Sequence, residues 1–271
     1  MIEPLKHYLT LEASFLMWLN DQQTIPSAIR RYRKTLAAST PRYLVIDGLF
    51  NPQKLDAICA ALQHEQHWQT QKHSYSALYL DDSKWQATPD SERFVQRDLW
   101  QGHKAGLDDK QCAMAQEFLQ YLRSEEFMAL LSKIFDVQIT DIHVAKPEIN
   151  TNFFRLSSED FVNQHADDSP GREICMLLYL NKNWSTEQGG ELVFMGKDDK
   201  TVTIPPLYNR CVLFDPSSEG SEHWVKTVAS AAGNLYRYNV TSWYWSEWWV
   251  WSKLEFDNRA DRENQIERMV A

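Results

Sequence analysis

Positive charge is the scarcer sign in this chain. Lys and Arg number 28 against 37 Asp and Glu in 271 residues, a formal net charge of −9 at pH 7. That balance disfavours whole-protein affinity for nucleic acid or an anionic membrane surface, so neither is expected as a partner. The local exception, Arg30, Arg31, Arg33 and Lys34, reads on a helix as a solvated face. Cysteine is also sparse. Cys59, Cys112, Cys175 and Cys211 are far apart and form no C-x-x-C pair. Cys175 and Cys211 sit in apolar runs, where a thiol behaves as a small core residue. This pattern suits a reducing compartment, and a cytoplasmic location is the expectation. No long apolar run is present: the best stretch near the start, 13–19, is far too short to span a membrane, and the Met-Ile-Glu-Pro-Leu-Lys start lacks a basic region ahead of an apolar core. Internal repeats, low-complexity tracts and clear linkers are missing too.

What is present is a folded, aromatic-rich globular chain: 43% hydrophobic residues, 13% aromatics and 11 tryptophans. Residues 5–38 predict two helices broken near Thr24 to Ser27, with Thr24 or Ser27 as the cap of the second. A short apolar strand follows from Arg42, and Asn51-Pro52 opens a helix with Leu55, Ile58, Ala61 and Leu62 on one stripe. The polar and aromatic region 74–102 shows no sustained period and reads as a long loop. Helical spacing returns over 108–135. From about 140 to 245 the texture becomes short β-rich runs, at 152–156, 161–165, 173–180, 191–194, 201–204, 211–214, 224–228 and 235–244. Runs of this length and spacing indicate an antiparallel sandwich or barrel. The expected organisation is a helical N-terminal wrap with a leading strand over 1–140, a catalytic β core over 141–250, and a charged helical tail over 251–271. The wrap and core form one domain of α+β class.

One constellation carries chemistry. In His165-x-Asp167 the side chains share one strand face about 7 Å apart and can reach one ion together. His223 follows the apolar run Cys211-Val-Leu-Phe across a polar turn, at the start of a strand that can neighbour the first pair. Two histidines and one carboxylate can hold a ferrous ion on one face and leave the other open. Arg237 lies downstream on an alternating apolar strand, and its planar fork suits a carboxylate in a way a lysine would not reproduce. Alone, H-x-D is a weak motif, and a solvated turn would explain it equally well. The ordered set is more specific.

Between these residues come Tyr179-Leu-Asn-Lys-Asn-Trp184, then Gly189-Gly190-Glu-Leu, then Asn209-Arg-Cys-Val-Leu-Phe, and after His223 comes Arg237-Tyr-Asn-Val-Thr-Ser-Trp243. In this order the segment resembles the 2-oxoglutarate- and Fe(II)-dependent dioxygenases, in particular their prolyl 4-hydroxylase-like branch. The resemblance covers roughly 150–245 and extends weakly to 43–61. It implies a double-stranded β-helix (jelly-roll) core of antiparallel strands with the N-terminal helices packed on one side. It implies His165, Asp167 and His223 as iron ligands, with Arg237 on the distal carboxylate of 2-oxoglutarate. Tyr179 would bond the same carboxylate, and Thr241, on Arg237's strand face, would line the co-substrate pocket. The implied cofactors are Fe(II) and 2-oxoglutarate as co-substrate, with ascorbate as a stimulant. The implied reaction is hydroxylation of an unactivated C–H bond with release of succinate and CO2. Asp167 favours hydroxylation over halogenation, which needs an open position in place of the carboxylate. Two departures stand out: His223 and Arg237 are 14 positions apart, longer than the branch pattern, with 229–233 able to absorb the excess as a hairpin loop. Leu156, nine before His165, occupies a place where many relatives carry a tyrosine.

A prolyl residue in a protein or peptide is the leading substrate expectation. A small molecule (an amino acid, a sugar or a natural-product intermediate) is the alternative, and a catalytically silent jelly-roll binding module is the third. His64, His67 and His73 lack the spacing of a zinc protease and read as surface residues. Trp243, Trp245, Trp248, Trp249 and Trp251 read as packing rather than substrate stacking. Region 74–102 is the candidate for substrate contact.

Overall fold

The computed structural model describes residues 18–102, 110–144, 146–229 and 235–246. Most of the first predicted helix, most of 229–233, the charged tail 251–271, and Trp248, Trp249 and Trp251 therefore lie outside the described residues.

A single turn, Asp21–Thr24, is followed by α1 (Pro26–Ala38), β1 (Tyr43–Asp47) and α2 (Pro52–Ala61). The helix break falls where expected, but neither Thr24 nor Ser27 caps α1. Ile25 is the N-cap with no side-chain bond, and Pro26 starts the helix because its fixed φ already suits the first turn. For α2 the expected opening holds: the Asn51 side chain accepts from the amides of Gln53 and Lys54. Its stripe Leu55, Ile58, Ala61 and Leu62 is buried. On α1, Arg30, Arg31, Arg33 and Lys34 are all exposed, while Ala28, Tyr32 and Leu36 face inward.

The largest difference from the sequence reading lies between Trp68 and Trp100. The segment expected to be a long loop, 74–102, contains the helix α3 (Asp82–Ala87) and the strand β3 (Arg93–Trp100), which pairs antiparallel as a β-hairpin with β2 (Trp68–Ser74) just ahead of that segment. Both strands are rich in Gln, Arg, Asp and Lys, residues with no apolar alternation to betray them, because only one side of this hairpin meets a core. Next come α4 (Lys110–Leu122) and α5 (Glu125–Phe135), divided where Ser124 caps α5 through the Phe127 amide.

The β region supplies β4 (Thr151–Leu156), β5 (Phe161–Val162), β6 (Arg172–Tyr179), β7 (Leu192–Phe194), β8 (Val202–Ile204), β9 (Arg210–Phe214), β10 (His223–Val225) and β11 (Arg237–Trp245). The main sheet runs β1-β9-β6-β11-β4-β3-β2, with β5 on β3; the smaller one runs β10-β7-β8. All described pairings are antiparallel. This is the expected α+β arrangement of facing antiparallel sheets with helices to one side.

Strand alternation divides the core. Ile174, Met176, Leu178, Cys211, Leu213, Val240 and Tyr244 point to the helices, where they pack with Leu55, Ile58, Phe118 and Phe127. Their neighbours Cys175, Leu177, Tyr179, Val212 and Phe214 point the other way, against Leu192, Phe194 and Ile204 of the small sheet. The helices thus seal the outer face, and the inner face is left to build a site. Two buried amides fasten the ends of these strands. Asn209, at φ 55°, brackets Phe50 by accepting from its amide (3.2 Å) and donating to its carbonyl (2.7 Å). Asn181 accepts from the Tyr238 amide and donates to the carbonyls of Pro206 and Tyr238. No helix among the described residues is long and apolar enough to cross a membrane.

Candidate active site

The chain brings its two histidines together through the backbone. His165 and His223 form an isolated antiparallel bridge, amide to carbonyl at 3.0 and 2.9 Å in the two directions. Their rings therefore stand side by side, centroids 4.2 Å apart. Asp167, two residues further, turns its carboxylate to both: His165 Nε2 lies 3.8 Å from Oδ1, and His223 Nε2 lies 3.8 Å from Oδ2. Donor atoms of all three lie within 4.8 Å of one another, a set that could hold one metal ion.

Each histidine is held in the tautomer that a metal requires. His165 Nδ1 meets the Asn163 carbonyl at 2.9 Å and His223 Nδ1 meets the Ser221 carbonyl at 3.0 Å. A carbonyl only accepts, so Nδ1 carries the proton and the Nε2 lone pair faces the site. Phe94 packs its edge on His165 (4.7 Å), and Phe214 packs on His223 (5.0 Å). Burial, reinforced by His165, lowers the His223 pKa to about 4 and keeps it neutral. Burial alone would raise the Asp167 carboxyl, but His165, His223, Arg172 and Trp243 outweigh it and hold the pKa at about 2.

Trp243 is one such partner. Its Nε1 donates to Asp167 Oδ2 at 2.8 Å, so it orients the carboxylate besides packing beside Cys175, as the sequence reading expected. The Cys175 thiol approaches the same oxygen at 3.5 Å. Arg172 donates to the Asp167 carbonyl and stacks near Trp243 and Trp245.

Arg237 begins β11 on the inner face, 1% exposed. Its Nε donates to the Gly190 carbonyl at 2.6 Å and its Nη1 to Asn239 Oδ1 at 2.8 Å. Asn239 in turn donates to Thr241 Oγ1 at 2.8 Å, so alternate residues of one strand form a polar file. Arg237 Nη2 and the Tyr179 hydroxyl, both buried, have no hydrogen-bond partner among the described residues, although the guanidinium carbon lies 4.8 Å from the Tyr179 ring. A buried guanidinium nitrogen and a buried phenol beside it, both unsatisfied, suit a ligand carboxylate. Burial lowers the Arg237 pKa, opposed by Tyr179 and Glu191; burial raises that of Tyr179, opposed by Arg237. Gly190 makes the close approach work: at φ +72° an added Cβ would lie 2.9 Å from Arg237 Cδ. Leu156 is the register partner of Arg237 and presents a buried apolar side chain there.

All six residues expected at the site therefore lie on or beside the inner face. Sequence reasoning missed Asn239, Arg172, Phe94 and the bond from Trp243. Period-2 spacing from Arg237 would have found Asn239. The same spacing reaches Trp243, and Arg172 follows Asp167 by five residues; Phe94 comes from a distant strand and nothing local signals it. The histidine reading needs correction: His67 and His73 are buried, and His73 Nδ1 accepts from the Tyr79 amide at 3.0 Å, while His64 is exposed as expected.

Residues 151–245 match the model of the 2OG-Fe(II) oxygenase superfamily. Over that segment, about a third of its length, the chain is similar to the 2OG-Fe(II) oxygenases. Among curated proteins, prolyl 3-hydroxylase OGFOD1 of Mus musculus is 27% identical over 133 residues, 47% of this chain and 23% of that protein. Its Xenopus laevis counterpart is 27% identical over 132 residues, 46% of this chain and 24% of the relative. The match thus spans about a quarter of those relatives' length. Among solved structures, a Pseudomonas putida prolyl-4-hydroxylase aligns at TM-score 0.53 with 15% identity, over 80% of this chain and 98% of that one. A Trichoplax adhaerens prolyl hydroxylase, solved with a hypoxia inducible factor oxygen degradation domain peptide fragment, aligns at TM-score 0.53 with 16% identity, over 88% and 100%. Both share the double-stranded β-helix fold.

Proposed function

We propose that this protein is a 2-oxoglutarate-dependent Fe(II) hydroxylase acting on a prolyl residue of a protein or peptide. The observation that carries the reading is a three-donor cluster beside a buried arginine and phenol that each keep an unsatisfied polar atom. His165, Asp167 and His223 would hold Fe(II). Arg237 Nη2 and the Tyr179 hydroxyl would receive the distal carboxylate of 2-oxoglutarate, and the Asn239–Thr241 file would fix the guanidinium plane. Bound Fe(II) supplies the redox chemistry by which one oxygen atom of O2 enters the substrate C–H bond and the other converts 2-oxoglutarate to succinate and CO2. The chain's own work is positional. Carbonyl-locked imidazoles offer Nε2, Trp243 holds the carboxylate, and Phe94 and Phe214 pack against the two imidazole rings. The relatives named above are prolyl hydroxylases, which supports the choice of proline.

The test is succinate formation by purified protein with Fe(II), ascorbate and 2-oxoglutarate. Slow turnover without a second substrate is expected, with loss in His165→Ala and Asp167→Ala. Absence of both 2-oxoglutarate binding and succinate would overturn the reading. A +16 Da shift on proline-containing peptides, read by mass spectrometry, tests the substrate class.

A further inference from the structure

The inner face does not end where the small sheet stops covering it. In register, Asn239 lies opposite Phe154, and Phe154 opposite Leu99. Leu99 lies opposite Gln69, and Arg97 opposite Gln71. Directly paired residues share a face, and so do residues two apart. Arg97, Leu99, Gln69 and Gln71 therefore continue the face that carries Arg237 and Phe154. Gln69 is exposed, and Gln71, Arg97 and Leu99 are partly exposed. The result is a polar shelf beside the site, built by the hairpin that the sequence did not reveal.

Arg97 is the charged group on that shelf. Its guanidinium carbon sits 3.5 Å from the Phe154 ring centroid, so the group is held in a fixed plane. Yet its Nε is buried without a partner, and no carboxylate or carbonyl bonds its other nitrogens among the described residues. Neighbouring arginines differ. Arg93 pairs with Asp90, Arg155 with Asp98, Arg210 with Asp47, and Arg237 with Gly190 and Asn239. Arg97 stands near enough to Asp167, Tyr79 and Arg237 to feel their charges, and burial lowers its pKa only to about 10, so it is charged at neutral pH. An oriented, partly desolvated guanidinium that no carboxylate bonds directly among the described residues is a receptor for an anion.

We propose that Arg97 is a specificity residue that receives a carboxylate of the molecule being hydroxylated, so that the substrate is an acidic peptide with Asp or Glu close to the oxidised residue. This rests on the hydroxylase reading above. A backbone carbonyl could accept one hydrogen bond from Arg97 but would leave the charge uncompensated, whereas a carboxylate answers both with two parallel bonds. The same chemistry has a second source, the carboxylate of 2-oxoglutarate that Arg237 does not take. Arg97 lies two strands from Arg237, about 10 Å across the sheet, so the experiment must separate the two.

The probes are fluorescein-labelled peptides with one proline and Asp or Glu at each of three positions on either side, each matched by its Asn or Gln counterpart. Binding to the full chain with Fe(II) and 2-oxoglutarate, under argon, is read by anisotropy; 2-oxoglutarate affinity is read separately by calorimetry. The expected result is that acidic members bind about tenfold tighter or better than their amides, in line with a charge-assisted bond. That preference vanishes in Arg97→Gln and in Arg97→Met, which keeps apolar contact with Phe154, while 2-oxoglutarate affinity stays within about twofold. Absence of an acidic preference in the wild type, absence of peptide binding, or a preference that survives in both variants overturns the proposal. So does a tenfold loss of 2-oxoglutarate affinity in Arg97→Gln, which would assign the arginine to the co-substrate. In each case wild-type succinate formation keeps the hydroxylase reading standing; its absence together with absent 2-oxoglutarate binding brings down that reading instead.

Discussion

At the residue scale, the site depends on side chains whose partners leave one atom free. Arg237 is the plainest case: three of its contacts are internal and Nη2 alone is left for a ligand. Arg237→Lys keeps the charge but loses the fork, and the affinity for 2-oxoglutarate measured by calorimetry is expected to fall about 10- to 100-fold. Trp243→Phe keeps the ring and removes the 2.8 Å bond to Asp167. Metal affinity, measured with Mn(II) as a stand-in, is expected to drop about tenfold or more at nearly unchanged thermal stability. A melting temperature that falls while metal affinity holds would make Trp243 a packing residue only. His73 contributes at this scale through protonation. Burial, with help from Arg97, lowers its pKa from 6.5 to about 4. The unfolded chain therefore binds this proton more readily, and the associated stability is complete above about pH 6.5 and lost as pH falls towards 4. Urea unfolding at pH 7.5, 6 and 5 should show that decline, and His73→Asn should reduce its slope, leaving the share that His223 contributes through the same shift.

At the element scale, short strands and tight turns decide where the donors meet. The His165–His223 bridge is two backbone hydrogen bonds, with β10 in turn held on β7. The Gly189-Gly190 turn then carries the chain under Arg237. Gly190→Ala forces a side chain to adopt φ +72° and crowds Arg237 Cδ, so a loss of about 1–3 kcal/mol is expected from chemical denaturation. Weaker 2-oxoglutarate binding should accompany it; unchanged binding would mean that Arg237 does not depend on this turn. The Asn209 amide, which ties the β9 approach to the start of α2, is a purely structural counterpart. Asn209→Ala loses both bonds to Phe50, and a cost of about 2 kcal/mol with unaltered metal affinity is expected.

At the scale of the whole molecule, the two faces of the main sheet have different tasks. Helices α2, α4 and α5 cover the outer face with a continuous core, and the inner face is left partly open over β3 and β2. A rigid sheet carrying its site on one face needs little rearrangement to bind, so metal and 2-oxoglutarate together should stabilise the native state by mass action. At about 100 times the dissociation constant the gain is roughly 2.7 kcal/mol, visible as a higher melting temperature with Fe(II) under argon. The same addition to Asp167→Ala should leave the melting temperature nearly unchanged.

Much of this was legible in the order of residues. The helix stripe Leu55, Ile58, Ala61 and Leu62 follows from spacing alone, because one buried face imposes its period. The β runs from 151 to 245 were legible too, since strands buried on both faces must be apolar. His165, Asp167, His223 and Arg237 could be named because their chemistry is unusual for such positions, whereas Tyr179 and Thr241 were named from the resemblance to the dioxygenases. The β2–β3 hairpin could not be, since its strands are polar on the open side and are ordered by pairing, β3 with β4 and β2 with β3, which no local pattern records. The bond from Trp243 to Asp167 and the placement of Arg97 beside Phe154 join positions 76 and 57 residues apart. By itself the sequence determined which donors are available and which strands carry them. The tertiary structure alone decided which atoms stay unsatisfied, because that depends on every neighbour the fold brings within 3 Å.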